Sequence, residues 1–162
     1  MSLRTCVVGL GQRVAGDDGV GLAVLAELGR RPVPEGTVLV QLVEPLDLVS
    51  LLESEERVVL VDAVLAAPAG QVVELQPEEL ASKAAQPASS HGLGAARAIE
   101  LARALSPGGA ALRIIAVTIT PPARYAIGLS PEVAAAVPIA ADHIVSLLGE
   151  EHARIQPGQT DS

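Results

Sequence analysis

Two adjacent carboxylates follow a glycine-rich turn near the start of the chain, where side-chain type and spacing first point to chemistry. The two parts of this segment are Gly9-Leu10-Gly11 and Asp17-Asp18-Gly19-Val20-Gly21. A helix entered from a Gly-x-Gly turn normally presents free N–H groups and the positive end of its dipole to an anion. Acidic side chains occupy that end here, so a phosphate is repelled while a metal ion or a basic group is attracted. The segment therefore favours cation chemistry.

Two more polar residues fall at the ends of other predicted elements. Asp62 directly follows the apolar run Val58–Val61, and His91 precedes a predicted helix. In an open α/β sheet, ligands collect outside the carboxyl ends of the strands. Asp18, Asp62 and His91 would offer a divalent transition metal two carboxylates and an imidazole, with positions left open for substrate or water. Such a metal could polarise a carbonyl and activate water for hydrolysis.

Each of these residues also has a purely structural interpretation. Asp17 or Asp18 could be a helix N-cap, Asp62 could begin a turn, and His91 could start a helix or lie on the surface. We assign two other groups to structure or solvent: Cys6 as a packed core thiol, and the histidines of the terminal helix region, His143 and His152.

The elements that must position these residues form an α/β pattern. The predicted strands are Leu3–Leu10, Thr37–Val43, Arg57–Val64, Gln71–Gln76 and Leu112–Ile119. The predicted helices are Gly19–Gly29, Pro45–Glu53, Gly92–Leu105 and Pro131–Leu148. The order predicts a three-layer α/β/α fold with a mostly parallel twisted sheet of about five strands. The short link before Gln71–Gln76 predicts an antiparallel hairpin edge, and Ala81–Ser90 is expected to be a loop over the site.

Composition narrows the classes of function. The 162 residues are 49% hydrophobic, which fits a single domain over about 1–150 with a flexible tail at 151–162. The net charge is -8 with only 11 Lys and Arg, which argues against a nucleic-acid partner. A lone cysteine fits a reducing compartment. We find no signal segment and no apolar run long enough to span a bilayer, and we expect a cytoplasmic protein with no membrane partner.

Four motifs in order resemble the hydrogenase maturation endopeptidases, which remove a C-terminal extension from the large subunit of nickel-containing hydrogenases. Beyond the glycine-rich segment and its two acids, the motifs are Val61-Asp62-Ala63, His91-Gly92-Leu93 and Gly128-Leu129-Ser130-Pro131-Glu132-Val133. The similarity runs from about Leu3 to Leu148. Three features differ from the family pattern: Asp18 where Glu is frequent, Gln12 where Asn is usual, and Glu44-Pro45-Leu46 in place of an Asp-Gly-Gly type turn.

The resemblance implies that Asp18, Asp62 and His91 bind nickel. It also implies that the nickel arrives on the substrate, a hydrogenase large-subunit precursor, so that cleavage waits for metal insertion. The chain has no Gly-x-Ser-x-Gly or His-Glu-x-x-His motif, which agrees with catalysis by this site. The residues leave open a hydrolase with its own divalent metal, a diverged inactive relative, and a dinucleotide-binding module. The last would place Val14 at the third glycine of its fingerprint.

Overall fold

The computed structural model describes residues 4–11, 16–84, 90–121 and 127–155. The strands are β1 (Thr5–Leu10), β2 (Thr37–Leu42), β3 (Arg57–Leu65), β4 (Val72–Leu75) and β5 (Ala111–Ile119). The helices are α1 (Val20–Leu28), α2 (Asp47–Ser54), α3 (Pro77–Ala84), α4 (Ser90–Leu105) and α5 (Pro131–Ile155). A short 3₁₀ helix at Gly16–Gly19, here called the acidic turn, precedes α1 and carries both adjacent carboxylates.

The five strands form one sheet in the order β2-β1-β3-β5-β4. β1, β2, β3 and β5 are parallel, and β4 runs antiparallel at the edge. The predicted fold class is thereby confirmed. The predicted hairpin is wrong, because β4 pairs with β5 and not with β3. The short link between β3 and β4 correctly predicted that β4 runs antiparallel. However, β5, which comes later in the chain, lies between β3 and β4 in the sheet.

Helices cover both faces of the sheet. Alternate residues of a strand enter opposite cores, so Val7 packs with α1 and α5 while Cys6 and Val8 pack with α2 and α4. Apart from Cys6, the buried residues of both cores are Val, Leu, Ile and Ala. Burial on both faces explains why the parallel strands read as continuous apolar runs in the sequence.

Glycines in the first motif let α1 lie directly on the sheet. A Cβ on Gly21 would be 2.6 Å from the carbonyl oxygen of Leu10 and 2.7 Å from that of Val61. A Cβ on Gly9 would be 2.8 Å from the carbonyl oxygen of Gly21. These glycines therefore serve helix-to-strand contact, and they bring the acidic turn close above β1 and β3.

Other differences from the sequence analysis concern helix lengths. α3 occupies Pro77–Ala84 and α4 begins at Ser90, so both ends of the expected loop Ala81–Ser90 are helical, while 85–89 lie outside the described residues. α5 continues to Ile155, which makes 151–155 helical; 156–162 lie outside the described residues, as do Gln12 and Leu3.

α5 is long and apolar enough to cross a membrane, although the sequence led us to expect no such segment. Its apolar side is nevertheless buried on the sheet. The residues that make this contact include Val133, Ala136, Ala140, Ile144 and Leu147. This packing is that of a core helix.

We predict that Gly21→Ala lowers the free energy of unfolding by about 2 kcal/mol or more, because the new methyl group overlaps two backbone oxygens that cannot move independently. Urea denaturation measures this. Gly149→Ala is the matched control, since no described atom lies within 4 Å of its added Cβ and alanine favours a helix by about 1 kcal/mol. Equal effects of the two substitutions would contradict the close packing of α1.

Candidate functional site

The candidate site lies where β1 and β3 part. Their pairing ends at Gly9 and Val61, while β3 continues to Leu65 beside β5. β1 connects through α1 on one face, and β3 leads to α4 on the other, so the two connections leave this point in opposite directions. Such a switch point leaves a crevice at the carboxyl edge of a parallel sheet.

Asp62 lies at this point, inside β3 rather than at its end as the sequence suggested. It is the first β3 residue beyond the pairing with β1, and it pairs with Ala116 of β5. Val61 and Ala63 belong to the α1/α5 core, whereas Leu60 belongs to the α2/α4 core. The alternation of a strand therefore places Asp62 on the α4 side of the sheet.

The carboxylate of Asp62 is held on one oxygen only. The side chain is 1% exposed, and its Oδ1 accepts a hydrogen bond of 2.8 Å from the N–H of Ala63. Among the described residues, none donates to the buried Oδ2. Burial raises the pKa of Asp62 to about 7; the Ala63 N–H opposes this rise and the negative charge of Asp18 adds to it. Asp18 and Asp62 are thus electrostatically coupled.

The two adjacent acids have different surroundings. Asp17 is buried and accepts two hydrogen bonds from Ser130: one of 2.7 Å from its N–H to Oδ1 and one of 2.9 Å from its Oγ–H to Oδ2. Ser130 in turn accepts from the N–H of Ala134 in the first turn of α5. Asp17 therefore fastens the acidic turn to the start of α5, and Asp18 is the one of the pair that acts on Asp62.

His91 is the second residue of α4, and the structure describes its backbone but not its side chain. α4 packs on the same face of the sheet on which Asp62 lies. Among the side chains that are described, no three His, Cys, Asp or Glu residues cluster as a metal site would require. The charges of Asp18 and Asp62 are thus coupled, and the helix that carries His91 packs on the face of the sheet where Asp62 lies. The participation of the imidazole stays a prediction.

The groups assigned to structure lie elsewhere. Cys6 is fully buried in β1, and burial raises the pKa of its thiol to about 11, with Glu55 contributing. This confirms a packed core thiol. His143 lies 3.8 Å from Glu74 on the outer side of α5, and His152 lies near the amino end of β1 beside Thr5.

Ser130 is the residue whose role in the site was missed from residue patterns alone. Its position before Pro131 marks a helix start, since Ser is a frequent N-cap and Pro is frequent at the first helical position. The contact with Asp17, 113 positions earlier in the chain, has no local signal.

A buried carboxylate with a lone unpaired oxygen can take up either a proton or a cation. Near neutral pH both forms of Asp62 are populated, because its pKa is about 7. A divalent cation between Asp18 and Asp62 would cancel their repulsion and give the lone oxygen a ligand. The chemistry of these two carboxylates is therefore compatible with a bound cation.

We predict that Asp62→Asn removes a pH-dependent penalty on folding. A folded-state pKa above the unfolded value makes stability fall as pH rises from about 4 to about 7, because the unfolded chain ionises first. Relative to the wild type, the variant should therefore gain about 4 kcal/mol in unfolding free energy between pH 4 and pH 8. Urea denaturation at the two pH values measures the difference. An unchanged difference would show that Asp62 is not held in an unfavourable charged state.

We predict that Asp17→Ala lowers the free energy of unfolding by about 2 kcal/mol, because two hydrogen bonds to a buried carboxylate are lost. Asp142→Ala is the matched control. Asp142 makes an exposed ion pair with Arg31, so its loss should cost less than about 1 kcal/mol. Ser130→Ala removes the Oγ–H bond to Asp17 and keeps the N–H bond, so a double-mutant cycle should return a coupling energy for the Oγ–H bond, and additive effects would disprove that bond.

The chain is similar to a known protein family and to a protein of Pyrococcus furiosus over most of its length. The family model of hydrogenase maturation proteases matches residues 34–147, a range that includes Asp62 and His91 but begins after the acidic turn. Protein FrxA of Pyrococcus furiosus is 33% identical over 139 residues, which cover 83% of this chain and 98% of that protein.

Solved structures share the fold. An endopeptidase from Escherichia coli superposes with a TM-score of 0.79 at 21% identity, covering 92% of this chain and 94% of that one. The [NiFe] hydrogenase maturation protease HybD from Thermococcus kodakarensis superposes with a TM-score of 0.71 at 27% identity, covering 90% and 99%. The match to the family model spans well over half of the chain, and the match to FrxA covers 83% of it. The chain belongs to the hydrogenase maturation protease family.

Proposed function

We propose that this protein is an endopeptidase that removes the C-terminal extension of a nickel-hydrogenase large-subunit precursor after nickel insertion. The observation that carries the proposal is the buried Oδ2 of Asp62, which has no hydrogen-bond donor among the described residues, together with the charge of Asp18. This pair is unfavourable by itself and becomes favourable when a cation is brought to it. Family membership supplies the hydrogenase maturation context.

Asp18, Asp62 and His91 are the proposed ligands of the nickel that the precursor carries. Carboxylate oxygens and an imidazole nitrogen suit a divalent transition metal. Binding requires the ionised carboxylate, so Asp62 gives up its proton when the ion arrives. A precursor without nickel offers these side chains nothing to bind, and cleavage then waits for the metal.

Nickel bound in this way supplies a Lewis acid for the scissile carbonyl or for a water molecule. Burial of Asp62 strengthens its electrostatic effect on the reacting atoms, because the surroundings are poorly polarisable. Cys6 does not serve as a nucleophile in this mechanism, because it is buried and its raised pKa keeps the thiol protonated. The chemistry therefore rests on the acids and the imidazole.

The test is incubation of the purified protein with nickel-loaded and nickel-free large-subunit precursor from the same organism, followed by mass measurement of the precursor. We expect loss of a C-terminal peptide from the loaded form only. Cleavage of both forms would overturn the nickel gate. Cleavage of neither, with a precursor that another maturation protease processes, would overturn the activity.

We predict that Asp18→Asn, Asp62→Asn and His91→Ala each reduce processing of the loaded precursor by at least about 100-fold, because each removes a ligand or a charge that positions the reacting group. His143→Ala is the matched histidine control and should process at the wild-type rate, since His143 lies on the outer side of α5. Circular dichroism checks that each variant is folded. Retained cleavage by any of the first three removes that residue from the site.

A further inference from the structure

The turn between β2 and α2 touches the helix that carries His91. A Cβ on Gly94 would lie 2.8 Å from both Cβ and Cγ of Pro45, closer than such atoms approach one another in proteins. Pro45 thus packs against the backbone of α4. Its neighbours Val43 and Leu46 are 52% and 66% exposed, so the turn directs its proline inward and its other apolar residues outward.

Pro45 is held rigidly in this position. The N–H of Asp47 donates to the carbonyl of Glu44, and the N–H of Leu48 donates to the carbonyl of Pro45, both at 3.1 Å. The proline ring itself fixes the backbone angle φ. A rigid ring against a helix backbone sets the distance between the two elements more firmly than a flexible side chain would.

The other end of the turn is joined to the acidic turn. The N–H of Gly11 donates to the carbonyl of Leu42, the last residue of β2, at 3.3 Å. A Cβ on Gly11 would lie 2.6 Å from the carbonyl oxygen of Asp18, so these two backbones are also in close contact. A continuous series of backbone contacts therefore leads from Asp18 through Gly11 and Leu42 to Pro45 and Gly94.

Gly94 stands three residues after His91, and residues so spaced lie on the same face of a helix. We propose that Pro45 and Gly94 form a positioning pair that sets the first turn of α4, and with it His91, relative to Asp18 and Asp62. Neither residue touches the reacting atoms. The consequence for cleavage rests on the proposed function, whereas the placement of His91 does not.

The variants that test this are Gly94→Ala, Pro45→Gly, and the two combined. Gly94→Ala forces α4 away from the turn, and Pro45→Gly in the double variant removes the ring that the new methyl group meets. We expect Gly94→Ala to lower kcat for the loaded precursor about tenfold or more with KM little changed, since small misplacements of a catalytic group are costly. The double variant should recover most of this loss. Gly149→Ala, with open space around it, is the control.

A second readout does not depend on cleavage. The chain has three histidines, so the imidazole signals of isotope-labelled protein can be followed individually by NMR. We expect Gly94→Ala to shift the His91 signal, the double variant to return it, and Pro45→Gly alone to broaden it, with His143 and His152 unchanged. An unmoved His91 signal in folded Gly94→Ala, or a double variant that resembles it, would overturn the positioning pair. Absence of cleavage by both wild type and Gly149→Ala would instead overturn the proposed function.

Discussion

The candidate site depends on the burial of one carboxylate at the point where two strands part. Asp62 lies inside β3 with one oxygen bonded to its neighbour's N–H and the other without a described donor, and the charge of Asp18 is close enough to raise its pKa. Burial of such a group opposes folding above neutral pH. A cation bound to the two carboxylates would relieve this cost, which is the basis of the proposed function.

Backbone packing and hydrogen bonds hold the acidic turn in place. Glycines allow α1 to lie directly on β1 and β3, which keeps the acidic turn that precedes α1 close to these strands. Asp17 then fastens that turn to the start of α5 through Ser130. The two adjacent acids therefore have different roles: Asp17 fixes the backbone of the turn, and the charge of Asp18 raises the pKa of Asp62.

Sequence patterns were sufficient for the strands, the two-sided burial and the antiparallel direction of β4, because these follow from apolar runs and link lengths. The partner of β4 was not predictable, because β5 comes later in the chain and inserts between β3 and β4. We expected β3 to end at Asp62, because charged side chains are rare inside buried strands, but β3 continues to Leu65. The Asp17 link to Ser130 and the contact of Pro45 with Gly94 join distant segments, which no local pattern encodes.

The most direct test of the account is a titration of the purified protein with Ni²⁺, followed through the NMR signals of the imidazole rings. Ni²⁺ is paramagnetic and broadens the signals of the groups that bind it. We expect the His91 signal to broaden first, and we expect Asp62→Asn to require far more nickel for the same broadening of His91. Earlier broadening at His143 or His152, or an equal response in Asp62→Asn, would contradict a nickel site formed by Asp18, Asp62 and His91.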